Sequence, residues 1–415
     1  MRSNQFDKTI AALSVALAIV LGALPVAAQE TENADVSLLD AITKGTFKLN
    51  LRYRFEDVDQ DGFDKRGKAS TLRTMAGYKT GTWKGLEVYL EFEDVHDLGL
   101  SNDHNNAGAG SNWNGVTDRP VIPDAPITEI NQAYLGWSPI KTLPFRFGLQ
   151  EVVIDNSRFI GNVGWRQNHQ SFEAARVAFN GVKNLELDFS YIGRQHNILG
   201  GSQPMNTMHF GAAYTFGEIG TFKGYAMILD YEREAVQGLN TSTFGAFFDG
   251  KARLSDALSL IYRAEYAQQN DVNNPNNDIS ANYIRADFGV KISMVTIAAG
   301  YELLGGSAED GQFKTPLATL HKFNGWADKF LATPTDGLED LSLSVTAVLG
   351  KFKLIGIYHD FSADTGGSGW GSEIDAAVIY TAPWKQQFAL KYADYNAKDH
   401  ATDTTKLWLW TSWGF

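Results

Sequence analysis

The arginines of this sequence point to electrostatic recognition rather than covalent chemistry. Arg52, Arg54 and Arg73 fall in one stretch, Arg146, Arg158, Arg166 and Arg176 in a second, and Arg194 follows. A guanidinium grips a carboxylate through two parallel N–H donors, so such clusters select anions. An acidic set, Glu87, Glu91 and Glu93, lies between the two stretches. Facing basic and acidic walls would orient a carboxylate-bearing sugar; the alternative is that these charges pair with one another and only fill a wall. The segment 153–171 adds Asp155, Trp165, Asn168 and His169. There Trp165 could stack on a sugar ring while Arg158 and Arg166 hold carboxylates. Nucleophilic catalysis finds little support: the chain has no Cys, its eight His are scattered, and no G-x-S-x-G occurs. Paired carboxylates for glycoside hydrolysis would have to come from Glu91 and Glu93, which have ample reason to be wall charges. Asp57, Asp59 and Asp61 begin like a calcium loop, but the twelfth position is Lys68 instead of a bidentate Glu. They are a weak Ca²⁺ candidate, the other reading being a solvated acidic loop. No cofactor and no other metal site is expected.

The elements that must position these residues are strands. Phe47, Leu49, Leu51, Tyr53 and Phe55 alternate with Lys48, Asn50, Arg52, Arg54 and Glu56. A strand puts each set on its own face, whereas a helix would mix them. The same alternation recurs in about eighteen segments, near 46–56, 70–80, 86–96, 128–138, 144–152, 172–180, 184–194, 206–216, 222–232, 242–252, 257–267, 281–292, 294–304, 341–349, 352–361, 373–381, 387–396 and 405–415. Each is near the nine to eleven residues needed to cross a bilayer at a tilt. Short connections (81–85, 217–221, 254–256, 350–351) alternate with long polar ones (57–69, 97–127, 153–171, 268–280, 305–340). The expected fold is all-β: a transmembrane antiparallel up-and-down β-barrel of about 18 strands, with long extracellular loops and short periplasmic turns.

Composition agrees with this architecture. A net charge of −12 argues against a nucleic-acid partner. Mean hydropathy below zero argues against a bundle of membrane helices, and suits a barrel with an apolar outside and a polar lumen. All eleven prolines fall in the signal, in connections or at strand starts, as a sheet without an edge requires. Residues 1–28 read as a signal peptide: Arg2 and Lys8, then an apolar run from Ile10 to Leu24, then Val26-Ala27-Ala28. Residues 29–45 are expected to be a periplasmic segment and 46–415 the barrel. The final strand, Leu407 to Phe415, ends on an aromatic. That ending resembles bacterial outer-membrane proteins, in which it belongs to the signal read by the barrel assembly machinery. Parity puts Lys48, Arg52, Arg54, Arg73, Lys79, Arg146, Arg176, Arg194, Arg263, Arg285, Lys291 and Lys391 in the lumen. Glu56, Glu87, Glu91, Glu93, Glu186, Asp188, Asp230, Glu265, Asp287, Glu302, Glu373 and Asp375 join them, so the lumen charges nearly cancel. Tyr53, Phe55, Tyr78, Trp137, Tyr191, Tyr231, Tyr301 and Trp413 are expected outside, in the interfacial girdles.

Three stretches carry a family resemblance. They are Leu51 to Glu56 with Ala69 to Gly81, then Ile154 to Asn168 (IDNSRFIGNVGWRQN), then Gln312 to Phe330 (QFKTPLATLHKFNGWADKF) followed by Asp336-Gly337-Leu338. Together they resemble the alginate export porins of Gram-negative outer membranes. The resemblance implies a monomeric eighteen-stranded barrel passing an anionic polysaccharide through a narrow basic pore, while the order of short and long connections with an even strand number puts both termini in the periplasm. Uptake of oligosaccharides or other small anionic solutes fits the residues equally well, as does a general porin. A barrel enzyme and a plugged structural barrel are the competing classes. The expected partners are outer-membrane lipid and lipopolysaccharide, the assembly machinery and an anionic saccharide or small solute. Loop 153–171 is the leading constriction, with 305–340, carrying His321, Trp326 and Lys329, as a second inward loop.

Overall fold

Alternation dictates the architecture. On the third strand Val88, Leu90 and Phe92 are 39–50% exposed while Glu91 and Glu93 are buried. That inversion of the soluble rule is stable only where the exposed face meets lipid. The computed structural model describes residues 36–272 and 278–415. The signal peptide expected at 1–28 lies outside the described residues. Among the described residues a separate two-residue pair joins 306–307 to 311–312, and the eighteen strands of one sheet follow a short helix, α1 (Leu38–Thr43). They are β1 (Thr46–Gln60), β2 (Gly67–Lys79), β3 (Leu86–Asp103), β4 (Thr128–Trp137), β5 (Phe145–Gln150), β6 (Ser171–Val182), β7 (Leu185–His196), β8 (Ser202–Thr215) and β9 (Thr221–Leu229). The second half comprises β10 (Thr241–Arg253), β11 (Leu258–Asp271), β12 (Ser280–Ile292), β13 (Val295–Leu304), β14 (Leu338–Leu349), β15 (Phe352–Ser362), β16 (Gly369–Thr381), β17 (Gln387–Ala397) and β18 (Thr404–Gly414). Each pairs antiparallel with its sequence neighbours, and β1 closes on β18 from Asn50↔Gly414 to Gln60↔Thr404. The barrel is closed and every expected strand is present.

One end carries the tight turns and both ends of the barrel chain. Gly85 shows how tight: at φ +81 a side chain there would meet the Ser138 carbonyl at 2.5 Å. The other end carries the long connections. Two of these, 151–170 and 305–337, turn back into the barrel and run side by side. Ile160 and Leu317 form a bridge, with Gly161 N donating to Leu317 O at 2.9 Å and Thr319 N to Ser157 O at 3.0 Å.

The apolar core therefore sits inside the barrel, between wall and loops. One cluster gathers Tyr283, Phe313, Phe330, Phe361, Tyr395 and Trp408. The other gathers Ile160, Phe172, Ile192, Met227, Tyr231 and Leu317. Phe159 packs against both.

This packing corrects three expectations. Tyr231 is not in a girdle: it is 3% exposed and its hydroxyl bonds Gln195 inside. On β9 the inward set is Lys223, Tyr225, Met227 and Leu229, because the wall there receives loop side chains instead of water. Asp230 consequently leaves the lumen for the rim, where Asn240 donates to it at 3.0 Å. Arg194 is the third. A bulge between Ile192 and Arg194 reverses the parity. Gln195 turns inward to bond Gln170 at 2.6 Å, and Arg194 instead pairs with half-exposed Glu173 at 3.3 Å. Pro204 also lies within β8 rather than before it, opposite Arg194 at that same irregularity.

Candidate functional site

Most of the expected lumen arginines hold the inward loops. Arg52 donates to Gln167 Oε1 at 2.9 Å, to Gly164 O at 3.1 Å and to Arg166 O. Arg54 donates to Trp165 O at 2.7 Å and pairs with Asp124 from the 104–127 connection. Arg73 donates to Asn50 at 2.8 Å and lies 3.5 Å from His169 Nε2; Glu93 grips the same His169 through its ring and backbone N–H. Glu91 accepts from Tyr89, Asn131 and Gln132. The acidic wall is thus occupied.

The loop's own arginines are equally committed. Arg166 reaches Glu56 at 3.0 Å and Asp328 at 2.8 Å; Lys406 reaches the same Asp328 oxygen at 2.8 Å. Arg158 pairs with Glu302 at 3.0 Å and donates to Asn324 at 3.0 Å. Arg54, Arg158 and Arg166 are at most 4% exposed. A charge buried that deeply must be paired, and the wall (Glu56, Glu302) and neighbouring connections (Asp124, Asp328) supply the partners. Arg158 and Arg166 are therefore loop anchors, not free carboxylate holders. Trp165 likewise stacks on His321 with ring centres 4.2 Å apart, instead of facing a sugar.

His321 links the two loops to the wall. Its Nδ1 lies 2.7 Å from Asp328 and its Nε2 2.6 Å from Lys391 Nζ. With Lys391 as an ammonium, which can only donate, Nε2 is the acceptor and the ring is neutral with its proton on Nδ1. Burial agrees: it holds the ring well below the ordinary imidazole range, although Asp328 pulls the other way. Lys391 also sits 3.9 Å from the Trp165 ring and 3.7 Å from Trp326. Burial alone would raise the Asp124 carboxyl, but Arg54 and Arg166 hold it down to about 2. Asp328 is held well below its usual range against burial by His321, Lys406 and Arg166.

Toward the turn side the lumen is different. A cavity of about 340 Å³ is lined by Glu87, Arg146, Val153, Asp155, Arg176, Asp188 and Lys223 among others. Three of its carboxylates have basic partners: Glu87 with Lys79 at 2.9 Å, Asp188 with Lys223 at 2.9 Å, Asp155 with Arg263 at 2.6 Å. Glu186, near the start of β7, is exposed. Arg146 and Arg176 face each other directly in the β5–β6 register. Among the described residues neither has a carboxylate within ion-pair reach. Arg146 lies 4.4 Å from the Tyr134 ring, and Arg176 donates to Ser190 at 3.1 Å. Two adjacent guanidinium groups without an ion-pair partner thus line this cavity.

Asp57 and Asp59 are engaged by Arg66, at 2.5 and 2.8 Å, and among the described residues no trio of His, Asp or Glu is arranged for a metal. Nor does any serine or threonine hydroxyl bond a histidine ring there. Periodicity missed Asp124, Gln167, Asn324 and Asp328, since each lies in a connection without alternation.

No protein-family model matches the chain, and no curated protein matches it. Solved structures do. OccK9 (OpdG) of Pseudomonas aeruginosa superposes with a TM-score of 0.71 at 15% identity, over 90% of this chain and 99% of that one. OpdK of the same organism, crystallised with vanillate, gives 0.70 at 15% identity, over 90% and 99%. OccAB2 of Acinetobacter baumannii gives 0.69 at 15% identity, over 91% and 99%. OpdK is an outer membrane protein. The chain has the fold of these barrels. At such identities the likeness concerns the fold, and the alginate export resemblance is not specifically supported by it.

Proposed function

We propose that this protein is an outer-membrane channel through which small anionic solutes diffuse, with Arg146 and Arg176 as the pair that receives their carboxylates. The observation that carries this reading is the contrast in partners: Arg52, Arg54, Arg158 and Arg166 spend their donors on carboxylates, amides and carbonyls where loops and wall meet, whereas Arg146 and Arg176 have neither a loop partner nor an ion-paired carboxylate among the described residues. A cavity of about 340 Å³ suits a single sugar acid or an aromatic acid. The likeness to OpdK, crystallised with vanillate, supports the same solute class. Uronates stay among the candidates because each carries one carboxylate. A uronate polymer would have to thread two loops that are packed against the wall, so small-solute passage is favoured over polymer export.

The test is single-channel recording in planar bilayers, followed by block with vanillate, a uronate monomer and a neutral sugar. Anion-preferring current blocked by both acids and not by the neutral sugar is expected. No steady current, as from a plugged barrel, or block by the neutral sugar alone would overturn the reading.

A further inference from the structure

Helix α1 has three unlike sides. With about 100° between successive residues, Leu38, Leu39 and Ile42 share one sector, Asp40 and Lys44 a second, and Ala41 a third. Ala41 faces the barrel and is 3% exposed; Leu38, Leu39 and Ile42 are 49–69% exposed, with Val36 at 44%. Asp40 and Lys44 pair at 2.9 Å on the polar side. Ser37 caps the first turn by accepting from Asp40 N.

The helix is fixed to the lipid side of the wall. Tyr78 stands on the outward face of β2, opposite the 59%-exposed Phe47 of β1. Its hydroxyl donates to Ile42 O at 2.5 Å and accepts from Gly45 N at 2.9 Å. Gly81 N donates to Ala41 O at 2.8 Å. The exposed leucines therefore continue the apolar belt at the turn-side end of the barrel, next to Phe47 and Val88.

We propose that α1 is an interfacial foot: Leu38, Leu39 and Ile42 enter the lipid leaflet on the turn side, while Asp40 and Lys44 stay in water. The occupant of this face is lipid, because the face is continuous with the belt and the small residue, not the large ones, is spent on the protein contact. The foot ties the start of β1, the strand that closes the barrel on β18, to the membrane surface.

The chain lacks cysteine, so single labels can be placed cleanly. Leu39→Cys and Asp40→Cys, each carrying a nitroxide, are compared in the full barrel in phospholipid vesicles. Collision with oxygen reports lipid and collision with a nickel chelate reports water. Oxygen should dominate at position 39 and nickel at position 40. Adding Tyr78→Phe should mobilise the label at 39 and shift it toward nickel. Nickel access at both positions would overturn the proposal, as would a label at 39 shielded from both reagents, which would mean cover by protein.

Discussion

The loop-packed half of the lumen and the open turn-side half use the same residue type for opposite ends. Arg54 and Arg166 are buried beside Asp124, Glu56 and Asp328. Arg146 and Arg176 face a cavity beside each other. Partner supply separates them. Where a loop folds in, it brings or meets carboxylates, and the pair becomes structural. Where the bordering loop brings only a carboxylate that another cation has taken, as Asp155 with Arg263, the wall guanidinium groups have no ion-pair partner among the described residues.

Removing a partner from the packed half should have the largest effect. Asp328→Ala strands Lys406, removes the Nδ1 partner of His321 and leaves Arg166 with Glu56 alone, around one void. A cost of about 3–5 kcal/mol is expected, read as a lower midpoint in urea titration of the vesicle-inserted barrel. Larger, noisier conductance should accompany it as the loops come free. An unchanged midpoint would break the distinction between the halves.

Acid should loosen the same half in two steps. The folded His321 is held below the unfolded value of about 6.5, so the neutral ring's contribution is complete above that pH and is lost as pH falls below it. Asp124, held at about 2 against about 3.9 unfolded, contributes above about pH 4 and loses its share as pH falls to about 2. Unfolding midpoints measured from pH 8 to pH 3 should decline from about 6.5 downward. In His321→Gln the first decline should vanish.

The open half should respond in the opposite manner. Arg146→Ala with Arg176→Ala should change stability by about 0.5 kcal/mol or less, yet lower anion preference. The smallest effect on transport is expected from Arg194→Ala. Its pair with Glu173 is half exposed, worth at most about 1 kcal/mol, and selectivity should be unmoved.

All eighteen strands were legible because a period of two cannot be mistaken when one face meets lipid and the other water. Inward parity failed where that contrast disappears. On β9 the lumen side is apolar because Ile160 and Leu317 pack against it, so Tyr231 read as a girdle residue. At Arg194 a bulge reversed the faces, and nothing in the alternation of 184–194 marks it. The inward loops were recognisable by length and composition, but their ion pairs were not. Arg166 meets Asp328 across 162 positions and Arg54 meets Asp124 across 70. Only the closed barrel brings such residues together, so the sequence shows candidate charges without showing which are already spent.

The most direct test is the reversal potential across a salt gradient, measured for the unaltered protein, for Arg146→Ala/Arg176→Ala and for Arg194→Ala. The account predicts anion preference in the first, its loss in the second and its retention in the third. A cation-selective starting protein, or a double variant with unchanged reversal potential, would contradict it.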